Sequence, residues 1–179
     1  VTSGIQPRGA TPMRDVFDWL PPQTPATIRY GTDLSEPMAG GDGRDILFGK
    51  AGDDLLIGGG SRDILVGGAG ADQFYFDALP AFSRDADVIL GFKPGVDALV
   101  LDFDFLPIDP DKPNYGSAPD RLDPDSFTYG KAKDADDFVI YRKKTGALFL
   151  DTDGSGPEAM HKIAILANKV KIDAGDIVV

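Results

Sequence analysis

The sequence predicts an all-β protein built around a parallel β-roll of nonapeptide repeats, which is followed by a short antiparallel β cap and hairpin region. Three observations predict this fold. A nine-residue period runs without a gap over residues 31–75, more than half of the 22 glycines fall there, and an acidic residue recurs at one position of every unit. A fixed internal period of this kind is the signature of stacked repeats.

The repeat array consists of five consecutive units. Aligned by nine, they read GTDLSEPMA (31–39), GGDGRDILF (40–48), GKAGDDLLI (49–57), GGGSRDILV (58–66) and GGAGADQFY (67–75). Position 6 is acidic throughout: Glu36, Asp45, Asp54, Asp63 and Asp72. Position 8 is apolar throughout: Met38, Leu47, Leu56, Leu65 and Phe74. Each unit is therefore predicted to form a six-residue turn, where glycine adopts positive φ, and a three-residue strand with position 8 pointing inward.

The recurring carboxylates predict a cation. Stacking brings the position-6 side chains close together, and like charges repel strongly when they are partly desolvated. Calcium accepts roughly six to eight oxygen ligands, and carboxylates combined with backbone carbonyls form its typical ligand set. A single Asp in such a turn would be interpreted as a turn-forming residue, whereas recurrence at every ninth residue favours metal ligands.

These motifs resemble the RTX (repeats-in-toxin) family of haemolysin-type calcium-binding proteins, whose repeat reads GGxGxDxUx. The resemblance implies that two successive units form one right-handed coil, so that every second unit lies on the same edge. It also implies that each calcium ion takes oxygens from positions 2, 4 and 6 of one unit and from positions 1, 3 and 6 of the next unit on that edge.

Carried onto this sequence, the resemblance implies four calcium sites. The first comprises Gly41, Gly43 and Asp45 with Gly58, Gly60 and Asp63. The second comprises Lys50 (through its carbonyl), Gly52 and Asp54 with Gly67, Ala69 and Asp72. The third comprises Thr32, Leu34 and Glu36 with Gly49, Ala51 and Asp54, although Leu34 and Glu36 depart from the repeat. The fourth comprises Gly59, Ser61 and Asp63, completed beyond the array by either Asp87 or Asp97.

Segments after the array resemble RTX carboxy-terminal modules, such as those of serralysin-type proteins. Residues 87–97 (DVILGFKPGVD) resemble the stretch that closes the roll, and residues 141–154 resemble a hairpin of these modules. The terminal DIVV (176–179) resembles the terminus of substrates of type I, ABC-transporter secretion. No amino-terminal signal peptide is visible from Val1 onward. We therefore expect a secreted, extracellular protein whose partners are calcium ions and an ABC-type export machinery.

Three regions are predicted. Residues 1–30 contain five prolines and indicate a linker or amino-terminal cap, with a short helix at 13–20 and Trp19 as the capping side chain. Residues 31–106 form the roll and its closing strands. Residues 107–179 form a carboxy-terminal β region with a hairpin over 138–150 and further strands at 163–166 and 177–179.

Composition and missing motifs exclude several classes of function. The net charge of −11 indicates either a solvated surface or carboxylates that await a cation, and it argues against nucleic acid as a partner. The chain contains no cysteine, and no apolar run is long enough to span a membrane. His161 is the only histidine, so the zinc-protease motif is absent. An EF-hand starting at Asp151 would have Lys162 where a bidentate Glu is required, which leaves at most an accessory ion at Asp151 and Asp153.

We therefore expect a non-catalytic calcium-binding module that folds on binding extracellular calcium and serves the folding and secretion of an exported bacterial protein. One alternative is the carboxy-terminal fragment of a secreted RTX enzyme, such as a protease, lipase or epimerase. The other is an adhesin or polysaccharide-binding module, for which only Phe48 and Tyr75 supply aromatic side chains at the outward position 9.

Overall fold

The computed structural model describes residues 26–103, 121–133, 135, 137–152 and 160–179, and these residues contain no α-helix. The predicted linker over 1–25, with its helix and Trp19, and Asp153 lie outside the described residues. The strands are β1 (Ile28–Tyr30), β2 (Pro37–Gly41), β3 (Ile46–Ala51), β4 (Leu55–Gly59), β5 (Ile64–Ala69), β6 (Gln73–Phe76), β7 (Asp87–Leu90), β8 (Ala98–Leu101), β9 (Phe127–Tyr129), β10 (Val139–Arg142), β11 (Ala147–Asp151), β12 (Met160–Leu166) and β13 (Ile177–Val178). Short 3₁₀ turns lie at Ser83–Asp85, Pro124–Ser126 and Ala174–Asp176.

The strands form two sheets. One has eight strands in the order β1-β3-β5-β7-β12-β11-β10-β9, and the other has five in the order β13-β8-β6-β4-β2. Successive strands of the array alternate between the sheets, so the chain winds around a common interior. The predicted all-β fold with a parallel β-roll is confirmed.

The register across the array equals two repeat periods in both sheets. Ile28 pairs with Ile46 and Ile46 with Ile64 in the eight-stranded sheet, all in parallel. In the other sheet, Pro37 pairs with Leu55 and Leu55 with Gln73. Two nonapeptide units therefore form one coil. Most strands of the array are longer than predicted, because turn residues also pair between coils, as Lys50 does with Gly68.

The core lies between the two sheets. Leu47 and Leu65 from one sheet and Leu56 and Phe74 from the other belong to one cluster of buried side chains, and each is at most 1% exposed. This confirms position 8 as the inward position. Burial of a large apolar side chain contributes about 1.5–3 kcal/mol, but a single coil offers only two such side chains, so several coils must stack.

The carboxy-terminal strands extend both sheets of the roll. β12 pairs in parallel with β7, and β13 pairs in parallel with β8. β10 and β11 form the predicted antiparallel hairpin, with Tyr141 opposite Leu148, and β11 continues antiparallel to β12. The segment around His161 belongs to β12, in which His161 is half-buried. The only helical elements of the described residues are short 3₁₀ turns, and these are neither long nor apolar enough to cross a membrane.

Candidate metal centre

Polar side chains, nearly all of them acidic, line up in two rows, one along each edge of the roll. In the first row they precede or begin strands of the eight-stranded sheet, and in the second they precede strands of the five-stranded sheet. The first row consists of Thr27, Asp45, Asp63 and Asp87. The second row consists of Glu36, Asp54, Asp72 and Asp97. All six aspartates are buried, with Asp63 and Asp72 0% exposed.

One carboxylate oxygen of each aspartate binds the backbone of the preceding coil. In the first row, the Asp45 N–H donates to Asp63 Oδ1 (2.7 Å), and the Asp63 N–H donates to Asp87 Oδ1 (2.9 Å). In the second row, Asp54 donates in the same way to Asp72, and Asp72 to Asp97, both at 3.2 Å. These bonds fix the orientation of each carboxylate and therefore also the direction of its second oxygen.

The second oxygens of the four aspartates within the repeats lack hydrogen-bond partners. Oδ2 of Asp45, Asp54, Asp63 and Asp72 is buried and accepts no hydrogen bond from the described residues. Leaving a buried polar atom unsatisfied typically costs about 1–3 kcal/mol, and more when the group is charged. Four buried oxygens without hydrogen-bond partners, at the same position of successive units, indicate a ligand that satisfies them. Of the four, Asp72 Oδ2 also lies 3.6 Å from Lys93 Nζ.

The glycine at position 1 of each unit leaves the space into which these oxygens point. A Cβ on Gly58 would lie 2.5 Å from Asp63 Oδ2 and 2.9 Å from Asp87 Oδ2. A Cβ on Gly49 would lie 2.5 Å from the carbonyl oxygen of Gly67 and also contact Asp54 Oδ2. Carboxylate and carbonyl oxygens thus converge where any side chain larger than hydrogen would intrude.

Burial raises the pKa values of three of these carboxyl groups, those of Asp63, Asp72 and Asp87, in the absence of a cation. Desolvation raises the pKa of Asp63 from 3.8 to about 6, and the charge of Asp45 adds to the effect. Desolvation also raises the pKa of Asp87 to about 8, with a further contribution from the charge of Asp63. The pKa of Asp72 is likewise raised, chiefly by desolvation. An ion between the carboxylates would reverse these shifts, because opposite charge favours the ionised form.

The donor set fits calcium. The space between neighbouring members of a row is called an interval here. Carboxylates line the intervals, and backbone carbonyls also lie beside Gly31, Gly40 and Gly49, so the ligands offered are hard oxygen donors. No cluster of three or more His, Cys, Asp or Glu side chains suited to a metal occurs in the described ranges. This is consistent with intervals in which two carboxylates at most are supplemented by carbonyl oxygens.

The structure brings together the carboxylates of the first three predicted sites. Asp45 and Asp63, Asp54 and Asp72, and Glu36 and Asp54 are neighbours in their rows. Glu36 takes the aspartate position, since a Cβ on Gly31 would lie 2.5 Å from both Glu36 Oε1 and the Gly49 carbonyl oxygen.

The remaining predicted ligands would contribute through their backbone. The Leu34 side chain is 73% exposed, and Lys50 and Ser61 adopt the positive φ of the glycines they replace, at 82° and 70°. The carbonyl of Gly41, a predicted ligand, accepts the Gly60 N–H at 2.8 Å.

The structure also distinguishes between the two residues proposed to complete the fourth site. Asp87 follows Asp63 in the first row, whereas Asp97 follows Asp72 in the second. Asp87 is therefore the residue that completes an interval with Asp63.

Sequence reasoning missed Thr27 in the first row and Gly40 beside it. Thr27 stands at position 6 of a sixth unit, 22–30, where its N–H and hydroxyl both donate to Asp45 Oδ1 (2.6 and 2.7 Å). Aligning residues 22–30 by the same period would have revealed it, although neither glycine nor Asp marks that unit. Gly40, whose Cβ would lie 2.6 Å from Asp45 Oδ2, was omitted because the position-1 residue was assigned only to the following coil.

Comparisons with known proteins identify the repeats and one solved structure of similar fold. Residues 39–74 match the RTX calcium-binding nonapeptide repeat, in four copies. The solution structure of the AlgE6R3 subunit from the Azotobacter vinelandii mannuronan C5-epimerase is similar, with 27% identity and a TM-score of 0.50 over 86% of this chain and 77% of that chain. The extracellular lipase LipA from Serratia marcescens matches with 20% identity and a TM-score of 0.28, over 85% of this chain and 20% of the lipase. No curated protein sequence matches the chain.

The fold and the two rows together define a calcium-binding parallel β-roll. Its residues 39–74 are RTX nonapeptide repeats, which are calcium-binding repeats.

Proposed function

We propose that this chain is a non-catalytic module that folds when it binds extracellular calcium, within a protein that bacteria export through an ABC transporter. The calcium ligands proposed are the carboxylates of the two rows and the carbonyls of the turn positions. The observation that carries the proposal is the set of four buried Oδ2 atoms without hydrogen-bond partners.

The electrostatics of the rows support a calcium-dependent fold. With no cation present, folding buries carboxylates such as Asp63 and Asp87, whose raised pKa values record the cost of ionising them there. The unfolded chain avoids this cost because its carboxylates stay in water. Extracellular calcium modules typically bind in the range of about 10⁻⁴–10⁻³ M. Because the intervals exist only in the folded chain, the free energy of calcium binding becomes free energy of folding.

A calcium titration of the full chain tests this proposal. Far-ultraviolet circular dichroism should show an unfolded chain in excess chelator and a cooperative gain of β-structure as calcium enters the millimolar range. Magnesium should not substitute, because it requires a smaller, octahedral site and dehydrates reluctantly. A chain that is fully folded in chelator, with the same thermal midpoint as in calcium, would refute the calcium switch.

The position of the terminal motif supports a link between folding and export. Ile177 is fully buried in β13, which pairs with β8, and Asp176 accepts the N–H groups of Gly95 (2.6 Å) and Asp173 (2.9 Å). An exporter can therefore bind residues 176–179 only while the chain is unfolded. A cytosol poor in calcium would keep the chain unfolded.

Export can be tested in a bacterial host that expresses a type I exporter. The full chain should reach the medium, whereas a variant lacking residues 176–179 should stay in the cells. Equal amounts of both in the medium would refute the terminal signal. Retention of both would refute export by this route.

A further inference from the structure

The last interval of the second row, between Asp72 and Asp97, contains a lysine ammonium group. Lys93 Nζ lies 2.8 Å from the carbonyl oxygen of Gly70, 3.4 Å from Asp97 Oδ1 and 3.6 Å from Asp72 Oδ2. Asp72 is 0% and Asp97 4% exposed, so the ammonium group faces two buried carboxylates.

The three oxygens around Lys93 belong to the classes that the RTX resemblance assigns to calcium, which are position-4 carbonyls and the carboxylates of the rows. Gly70 stands at position 4 of its unit, Asp72 at position 6, and Asp97 is the next carboxylate of the row. The ammonium group therefore lies among a position-4 carbonyl and two consecutive carboxylates, where the repeat pattern would otherwise offer oxygens to an ion.

The backbone holds Lys93 in this position. It lies in the turn between β7 and β8, where its carbonyl accepts the N–H groups of Val96 (3.1 Å) and Asp97 (2.8 Å). Its own N–H donates to Asp97 Oδ2 at 2.8 Å. The same short turn thus supplies both the final carboxylate of the row and its counter-ion.

The first row ends differently. Ser83 lies four residues before Asp87, where Lys93 lies four residues before Asp97. The nearby Arg84 pairs with Asp85 at 3.7 Å. Within the described ranges, no basic side chain forms an ion pair with Asp63 or Asp87, and both Oδ2 atoms point toward Gly58.

We propose that the Lys93 ammonium takes the place of a calcium ion at the carboxy-terminal end of the second row. This inference rests on the proposed function, in which the other intervals bind calcium. The Asp72–Asp97 interval is permanently filled by a tethered cation and is closed to calcium. The last interval of the first row, between Asp63 and Asp87, consequently takes an ion where its counterpart in the second row takes none, and the closing turn of the second row forms without calcium.

Counting bound ions tests the inference. Calcium stoichiometry would be measured by equilibrium dialysis on the full chain and on Lys93→Met, which keeps much of the aliphatic stem and removes the charge. The variant should bind one more calcium ion per chain than the wild type. Lys93→Arg, which keeps the charge, and Lys144→Met, which removes an exposed charge from the β10–β11 turn, should bind the same number as the wild type. Equal stoichiometry for Lys93→Met and the wild type would overturn the inference.

A second variant keeps the test decisive even if Lys93→Met fails to fold. Asp97→Asn should bind the same number of ions as the wild type, because its interval takes none. Loss of one ion in Asp97→Asn would show that calcium occupies this interval in the wild type and would overturn the inference. A wild type that binds no calcium at millimolar concentration would instead refute the proposed function, so the two failures are distinguishable.

Discussion

Replacement of Asp63 by Asn should have opposite effects on the calcium-free and the calcium-bound protein. The amide resembles the protonated acid in shape. It keeps an Oδ1 that can accept the Asp45 N–H, as Asp63 Oδ1 does in the wild type at 2.7 Å. It removes the charge and one carboxylate ligand. In chelator the variant should therefore fold more readily than the wild type, and in calcium it should fold less readily.

The pKa of Asp63 gives the size of the calcium-free effect. In the fold it is raised from 3.8 to about 6. One pKa unit corresponds to about 1.4 kcal/mol. Above pH 7 the ionised carboxylate therefore disfavours the calcium-free fold by about 3 kcal/mol, and Asp63→Asn removes that amount. In calcium, Asp63 lines two intervals, one with Asp45 and one with Asp87. A loss of at least about 10–100-fold in affinity at each interval amounts to about 3–5 kcal/mol in total, so the calcium midpoint should rise despite the gain in the calcium-free fold.

Folding in chelator can be measured by titrating the chain with trimethylamine N-oxide, which favours compact states, while following circular dichroism. Asp63→Asn should fold at a lower osmolyte concentration than the wild type and at a higher calcium concentration. Asp77→Asn removes an exposed charge just beyond the array and serves as the matched control. The reasoning is wrong if Asp63→Asn needs as much osmolyte as the control, or if its calcium midpoint is unchanged.

Three further predictions concern pH, the glycine at position 1 and the core. Because the folded-state pKa values of Asp63 and Asp87 (about 6 and 8) lie above the unfolded value of 3.8, the calcium-free fold should lose stability as pH rises from 3.8 to about 8. The osmolyte concentration needed to fold the chain in chelator should therefore increase with pH over this range, and an unchanged osmolyte midpoint would contradict this. Gly40→Ala should prevent calcium-dependent folding of its coil, because the new Cβ would lie 2.6 Å from Asp45 Oδ2. Gly60→Ala, whose Cβ would have its nearest neighbour at 3.3 Å, should raise the calcium midpoint far less. Equal calcium midpoints for the two variants would refute the steric argument. Leu65→Ala should lower the unfolding free energy in saturating calcium by about 2–5 kcal/mol in a urea titration, and a loss under about 1 kcal/mol would exclude a tightly packed core there.

The sequence predicts the array well because one short unit contains all the information needed for it. Glycine at the turn positions, Asp at position 6 and an apolar residue at position 8 each have a local physical reason, and the two-period register follows once two units form a coil. The carboxylate neighbours Asp45 and Asp63 are thus predictable by counting alone.

Beyond the array, counting fails because the coils become longer than two repeat periods. Ile64 pairs with Val88, and Gln73 pairs with Ala98, so each of these coils carries an insertion relative to the repeat. The choice between Asp87 and Asp97 depends on these insertions, which no period specifies. Lys93 was missed for a related reason, since its side chain meets Asp72 only through the geometry of the closing turn.

The hydrogen bonds within the rows give the roll a direction of assembly. Each aspartate accepts an N–H from the coil before it, so a coil is completed only when the next member of its row, one full coil downstream, is present. A chain still growing on the ribosome cannot finish a coil as soon as that coil has been made. The final links await Asp87 and Asp97, which lie outside the repeats. Completion of the array therefore depends on the segment that follows it, and a truncation before residue 87 would leave both rows open at their ends.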